Sequence, residues 1–303
     1  MNWFLIALLA PALWSVTNHI DKFLISKYFN GGGTGSLIIF SSLIGIFVLP
    51  IILIIHPSVV NISTPYAILI ALNGFIYILG LLPYIYALGK DEASIVVPLF
   101  QTIPIFSYVL AYVFLGETLT TSQILASLLI ISGAIGLSLD LGNGKVKFKK
   151  EVFGLMFLAS FLVALNGFIF KFVAITSDFW TTSFWEYIGF SILAFLLIVF
   201  VKPYRNQFLS VIRSNRLPVL SLNALNEILN VLAKSAMSFA TLLAPLALVW
   251  VVNGFQPFFV FTYGIILTIF FPHLSQESLI KKHLVQKLVF IFVMFIGTFL
   301  LNK

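Results

Sequence analysis

The chain has no cysteine, four histidines and ten acidic residues among 303. Without cysteine there is no disulfide framework, no thiol nucleophile and no thiolate ligand. The histidines, His19, His56, His273 and His283, stand at no spacing that suits a metal site, so no cofactor is expected. Charged residues make up 9% of the sequence, against about 25% in a soluble domain. So little charge cannot keep a whole surface in water. The glycine tract Gly31-Gly32-Gly33-Thr34-Gly35-Ser36 lacks the Lys-Ser/Thr pair that a phosphate loop requires, and reads as a turn.

What the chain has instead is apolar length. Hydrophobic residues reach 60%, with a mean hydropathy of +1.10. A bilayer crossing needs about 20 largely apolar residues. The sequence predicts ten such spans, near 3–25, 36–56, 65–88, 93–115, 121–140, 151–175, 181–201, 217–242, 245–271 and 284–301. Runs of this length are helices, because a lipid-exposed segment must satisfy its own backbone and barrel strands would alternate over shorter segments. The expected fold is therefore an all-α polytopic membrane protein, multi-pass in the cell membrane. Ala10-Pro11-Ala12 looks like a signal cleavage site, but no basic segment precedes it and the apolar run continues beyond it. It is read as part of the first span.

The sequence nearly repeats itself. At an offset of 149, Ile20, Lys22 and Phe23 fall on Ile169, Lys171 and Phe172. At an offset of 153, Pro65, Asn73, Pro104 and Phe106 fall on Pro218, Asn226, Pro257 and Phe259. Leucines matching in apolar sequence mean little; lysine, asparagine and proline are costly there, so their matches weigh more. The reading is two five-helix units, residues 1–145 and 146–303, with the junction near 141–150. An odd number of crossings per unit inverts the second relative to the first, the plan of many secondary transporters.

Charge placement agrees. Of 17 Lys and Arg, 14 lie in or beside odd-numbered connections: Lys22, Lys27, Lys90, Lys145, Lys147, Lys149, Lys150, Lys202, Arg205, Arg213, Arg216, Lys281, Lys282 and Lys287. The basic side is cytoplasmic, which with ten spans puts both termini outside. These cations face anionic lipid, and no nucleic-acid partner is expected.

Ala12-Leu13-Trp14-Ser15 through Lys22 resembles the opening helix of the drug/metabolite transporter superfamily, EamA type. Ala93 to Pro98, Pro104, the turn Leu115-Gly116-Glu117-Thr118-Leu119, Gln123 and Gly133 resemble that family's fourth and fifth helices. In the second half Val163 replaces the Trp, and Phe271 to Glu277 replaces the Gly-Glu turn. The resemblance implies a ten-helix carrier of small organic metabolites or drugs, with exporters predominating and coupling often to protons. Family members usually have their termini inside; the loop charges of this chain argue the reverse.

Polar residues inside the spans mark where to look. In the eighth span Asn223, Glu227, Asn230 and Lys234 share one helix face. Glu227 lies about ten residues in, about 15 Å deep, near the middle of a core about 30 Å thick. A charge there costs at least about 2.5–3.5 kcal/mol, so Glu227 is either protonated or faces a wet cavity. It is the expected proton-coupling residue, with His19 as second choice and Lys234 as charge partner. The bland reading of the stripe is a dry pair that locks helices. Expected substrate contacts are Trp14 and Asn18 in the first span, Asn73 and Tyr77 in the third, Gln101 in the fourth, Asn223 and Asn230, and Trp250 and Asn253 in the ninth. For the amides, ordinary interhelical hydrogen bonding is the competing use. Trp185 and Glu186, one turn into the seventh span, suit interfacial anchoring. Ser122, Ala126 and Gly133 form a small-residue stripe that serves close packing or a homodimer.

These residues favour a secondary active transporter, not an enzyme, working on a small-molecule substrate. An intramembrane enzyme needs a tight polar cluster at one interface, whereas here polar groups spread over at least five spans. A passive channel wants rings of like charge or carbonyl filters, and the sequence offers neither.

Overall fold

The computed structural model describes residues 2–27, 34–88, 90, 96–138, 150–214, 216–270 and 281–301. Among them every regular element is helical. The helices are α1 (Asn2–Lys27), α2 (Thr34–Ile55), α3 (Thr64–Leu88), α4 (Ile103–Leu115), α5 (Thr121–Ser138) and α6 (Lys150–Ala174). They continue as α7 (Phe179–Phe200), α8 (Lys202–Ser214), α9 (Arg216–Leu243), α10 (Leu246–Val252), α11 (Gln256–Phe270) and α12 (Lys281–Leu301). Six stretches are long and apolar enough to cross a membrane: within α1, α2, α3, α6 and α7, and Leu246–Phe270. Three shorter apolar helices, Leu99–Leu115, Thr121–Gly136 and Lys287–Leu301, accompany them. The chain is a multi-pass membrane protein. The expected unit junction at 141–150 falls almost wholly outside the described residues.

Two of the expected spans are not uniform helices. A 3₁₀ stretch, Val97–Thr102, precedes α4, and another, Asn253–Phe255, separates α10 from α11. Pro98 lies within the first break and Pro104 just after it; Gly254 lies within the second and Pro257 just after it. Proline removes a ladder donor and glycine weakens a helix interior, so the breaks fall where the sequence is least able to continue an α-helix. The two breaks touch: a Cβ on Gly254 would lie 3.2 Å from Gln101 Oε1.

Helix α8 corrects the expectation of a plain basic connection over 202–216. Tyr204, Phe208, Val211 and Ile212 recur at helical spacing and pack inward, Phe208 edge-on to Phe40 at 4.9 Å between ring centroids. Lys202 and Arg213 stay exposed. Arg205 donates to the carbonyls of Ile198 and Val199 at 3.3 and 3.4 Å. Those carbonyls end α7, where a helix welcomes a cation.

The bundle is held by a few close helix pairs. Helix α1 packs on α9, α3 on α6 and on α7, α2 on α7, and α5 on α12. In the α3–α7 pair, a Cβ on Gly74 would strike the carbonyl of Glu186, and one on Gly189 would strike that of Ala71. Backbone thus meets backbone there. The small residues of α5 are used within the chain: Gly133 lies under Met294, and Gly297 of α12 fits against Ala126 and Ile130. Ala126 and Gly133 of that stripe thus pack closely within the chain, and Ser122 stays exposed.

Candidate functional site

Three buried polar networks cross the bundle. The first centres on Glu186 of α7, which is 1% exposed. Lys234 Nζ of α9 donates to Glu186 Oε2 at 2.7 Å. Asn73 of α3 and Asn166 of α6 donate from their Nδ2 atoms to Oε1 at 3.1 and 2.8 Å. The same two amides also donate to each other's backbone carbonyls, at 3.1 and 3.2 Å. Four helices are tied at one carboxylate, and both of its oxygens are satisfied. Lys234 Nζ lies 4.8 Å from the centroid of the Tyr77 ring and 5.4 Å from that of Phe170, so aromatic faces share its charge.

Two expectations are corrected here. Lys234, read as the charge partner of Glu227, pairs with Glu186 instead. Glu186, read as an interfacial anchor, is among the most deeply buried side chains of the molecule. Its neighbour Trp185 does reach a helix connection, donating from Nε1 to the carbonyl of Val59 at 3.0 Å.

A pocket opens beside this network, between Trp14, Tyr77, Asn166, Lys234, Thr241 and Trp250. Its cavity volume is about 20 Å³, room for little more than a water molecule. The Trp14 and Trp250 rings lie parallel, 9° apart in plane and 6.4 Å between centroids. Trp250 Nε1 is buried with no hydrogen-bond partner. Its lining of flat apolar walls, one cation and a few donors is of the kind that small-ligand sites use, while its volume is well below theirs, about 300–1,000 Å³.

The second network joins α1, α2 and α9. Asn226 Nδ2 donates to Asp21 Oδ1 at 2.8 Å, and Ser41 Oγ donates to Glu227 Oε1 at 2.8 Å. Asn230 stands one turn beyond Asn226 and three residues beyond Glu227, on the same side of α9. The third network uses the Gly-Glu turn. Gly116 ends α4 in the left-handed region at φ 67°, a conformation glycine adopts freely. Glu117 then pairs with Lys171 of α6 and accepts from the Leu246 backbone N–H, the start of α10, at 2.8 Å. Lys171 donates onward to the Ala244 carbonyl at 2.8 Å.

Of the residues singled out from sequence, Trp14, Tyr77, Lys234 and Trp250 meet at one pocket, and Asn73 stands behind it through Glu186. The others lie elsewhere. Gln101 packs on Gly254. Asn253 is buried with its Oδ1 unpartnered. Asn223 donates to Val219 of its own helix at 2.8 Å. His19 Nε2 stands 3.3 Å from the Val260 carbonyl of α11. Asn18 is half-buried on α1. Asn166 and Ser41 escaped notice in the sequence. Asn166 carries a signal that was available, a lone amide in an apolar span; a serine carries almost none.

Comparison with known proteins narrows the reading. Residues 1–139 match the EamA-like transporter family. An uncharacterized protein of Methanocaldococcus jannaschii is 35% identical over 99 residues, 33% of this chain and 72% of that one. The chain belongs to the EamA-like transporter family. That family is part of the drug/metabolite transporter superfamily, so the molecule is a membrane transporter of that type. A crystal structure 14% identical in sequence covers 99% of this EamA-like chain and 96% of its own, with a TM-score of 0.68. The shared fold thus extends through the second half, beyond the family match. The Gly-Glu turn that carried the resemblance is the element that pins α4 to α6 and to the start of α10.

Proposed function

We propose that this EamA-like protein is a secondary active carrier that exports a small organic solute by alternating access. In this reading it crosses the cell membrane ten times, as two inverted five-helix units over 1–145 and 146–303. The two 3₁₀ breaks support the inversion, since Gln101 and Gly254 are related by the same 153-residue offset that relates Pro104 to Pro257. Broken helices at matching positions of two halves mark the binding region in such transporters.

The observation that carries the proposal is the pocket of Trp14, Tyr77, Lys234 and Trp250. It draws its walls from α1 and α3 of the first unit and α6, α9 and α10 of the second. Rocking of one unit against the other opens such a site to either side in turn. Glu227 is the coupling carboxylate, with His19 second, and the basic loops place both termini outside.

The test is a thermal-shift screen of the purified protein with amino acids, nucleosides, sugars and cationic drugs, because a ligand that binds the folded state stabilises it. The expected result is a saturable rise with one solute class that is lost in Trp250→Ala. A class that shifts the melting point must then show saturable flux in sealed vesicles. No shift and no flux with any class overturns the carrier reading.

A further inference from the structure

The pocket of Trp14, Tyr77, Lys234 and Trp250 is too small as it stands to hold an organic solute, at about 20 Å³. For a solute to enter, contacts around it must part. The ion pairs of the bundle differ in what parting them costs. Glu186–Lys234 lies deep within the second unit, its side chains 1% and 8% exposed, and separating it strands charges away from water. Lys90–Glu151 and Glu117–Lys171 each join the first unit to the second. They stand near opposite ends of α6, since Glu151 is in its first turn and Lys171 in its last. Lys90 and Glu151 are 41% and 67% exposed, and a pair so open to water holds little. Glu117 and Lys171 are 17% and 9% exposed. That is shielded enough to hold, and near enough to the end of the bundle for water to take up the charges when they separate.

This second pair also grips the connection between α9 and α10. Glu117 Oε2 accepts from the Leu246 N–H, and Lys171 Nζ donates to the Ala244 carbonyl, each at 2.8 Å. The turn that ends α4 is thereby tied at once to α6 and to the α9–α10 connection. On all three second-unit elements the next turn is pocket wall. Gly167 stands four residues before Lys171, Thr241 three before Ala244, and Trp250 four after Leu246. One helical turn is about 5.4 Å. Helix α4, which carries the turn, packs on both α6 and α10.

We propose that Glu117 and Lys171 form the latch that shuts this end of the pocket. While they hold the α9–α10 connection, the walls at Gly167, Thr241 and Trp250 stay together. When they part, α4 and its turn move off α6 and α10, and the pocket opens there. This end is the one remote from the basic helix α8, which adjoins the N-terminus of α9 while the latch adjoins its C-terminus. The inference rests on the two-unit carrier reading and names the contact that breaks in its rocking step.

The chain has no cysteine, so a single introduced thiol reports alone. Ser238→Cys places one in the pocket wall. Its reaction with a small charged methanethiosulfonate reagent is timed on purified protein in detergent. No solute is added, so a failure here leaves the solute screen standing. Labelling should be slow in the otherwise unaltered chain and several-fold faster when Lys171→Met or Glu117→Gln is added. Exchanging the charges, Glu117→Lys with Lys171→Glu, keeps a pair but loses both bonds to the connection. It should label as fast as the single changes, and it decides the matter if those fail to fold. Glu151→Gln, which breaks the exposed pair, should leave the rate unchanged. Ser42→Cys, a fully buried position on α2 outside the pocket, should stay unreactive in every background. Unchanged labelling of Ser238→Cys in the latch variants overturns the proposal. So does equal acceleration by Glu151→Gln or at Ser42→Cys, which would mean a general loosening of the bundle.

Discussion

Lys234 and Glu186 meet at 2.7 Å between α9 and α7, with the acid 1% exposed. The polar face of α9 is thereby divided. Its C-terminal part is neutralised by Glu186 and forms a pocket wall. Its middle part carries Asn226, which donates to Asp21 of α1, and Glu227, which accepts from Ser41 of α2.

Removing one partner of that pair leaves the other charge buried and alone, which costs about 3–5 kcal/mol. Lys234→Ala and Glu186→Ala are each expected to lower the melting temperature sharply. The double variant Glu186→Gln, Lys234→Met should recover most of the loss, because it buries no unpaired charge. Melting curves of the four proteins check this, and additive losses in the double variant would contradict it.

Close approach of α3 and α7 predicts intolerance at Gly189. A side chain there must push Ala71 backbone away, and overpacking of a filled contact costs about 1–3 kcal/mol. Gly189→Ala should lower the melting temperature, whereas Gly154→Ala, with open space around its Cβ position, should not. Parallel thermal melts decide the matter.

Glu227→Gln keeps the size and hydrogen-bonding reach of the side chain but cannot release a proton. It is expected to fold, to abolish uphill transport driven by a pH gradient and to spare exchange. Flux in vesicles with and without an imposed gradient measures this. If the variant still concentrates solute against a gradient, proton coupling passes to His19.

Asp178 caps α7 from outside the membrane span, accepting from Trp180 N at 2.7 Å and from Thr181 N at 2.9 Å. Burial by itself would raise its carboxyl, but hydrogen bonds from Thr181 and Trp180 and the charge of His56 outweigh it and hold the group below the usual range. A lowered folded value means stability present above the unfolded value, about 3.9, and lost as pH falls through the folded one. Asp178→Ala should cost about 1 kcal/mol at neutral pH. The gap between the two melting temperatures should narrow as pH drops below about 4.

Orientation is tested by a reporter fused after Lys303. The charge split predicts that it lies outside, so a periplasmic or extracellular reporter should be active there and a cytoplasmic one silent. The opposite pattern would restore the orientation usual in the family.

Sequence alone determined the class of the molecule. Apolar length, scarce charge and the Gly-Glu turn sufficed for a helical membrane transporter of the EamA type, because each is a property of one segment against lipid. The polar face of α9 and the weak points at Gln101 and Gly254 were legible for the same reason: periodicity and backbone chemistry act within a single helix. Helix α8 was not, since its apolar positions are too few for a span and acquire meaning only against Phe40 and its neighbours. Nor was the fate of Lys234. Periodicity reports which side of a helix a residue occupies and is silent on which helix stands opposite. That was decided by Gly74 and Gly189, which bring α3 and α7 together and set Glu186, Asn73, Asn166 and Lys234 at one point. Pairing across helices is a contact between distant segments, and only tertiary packing selects it.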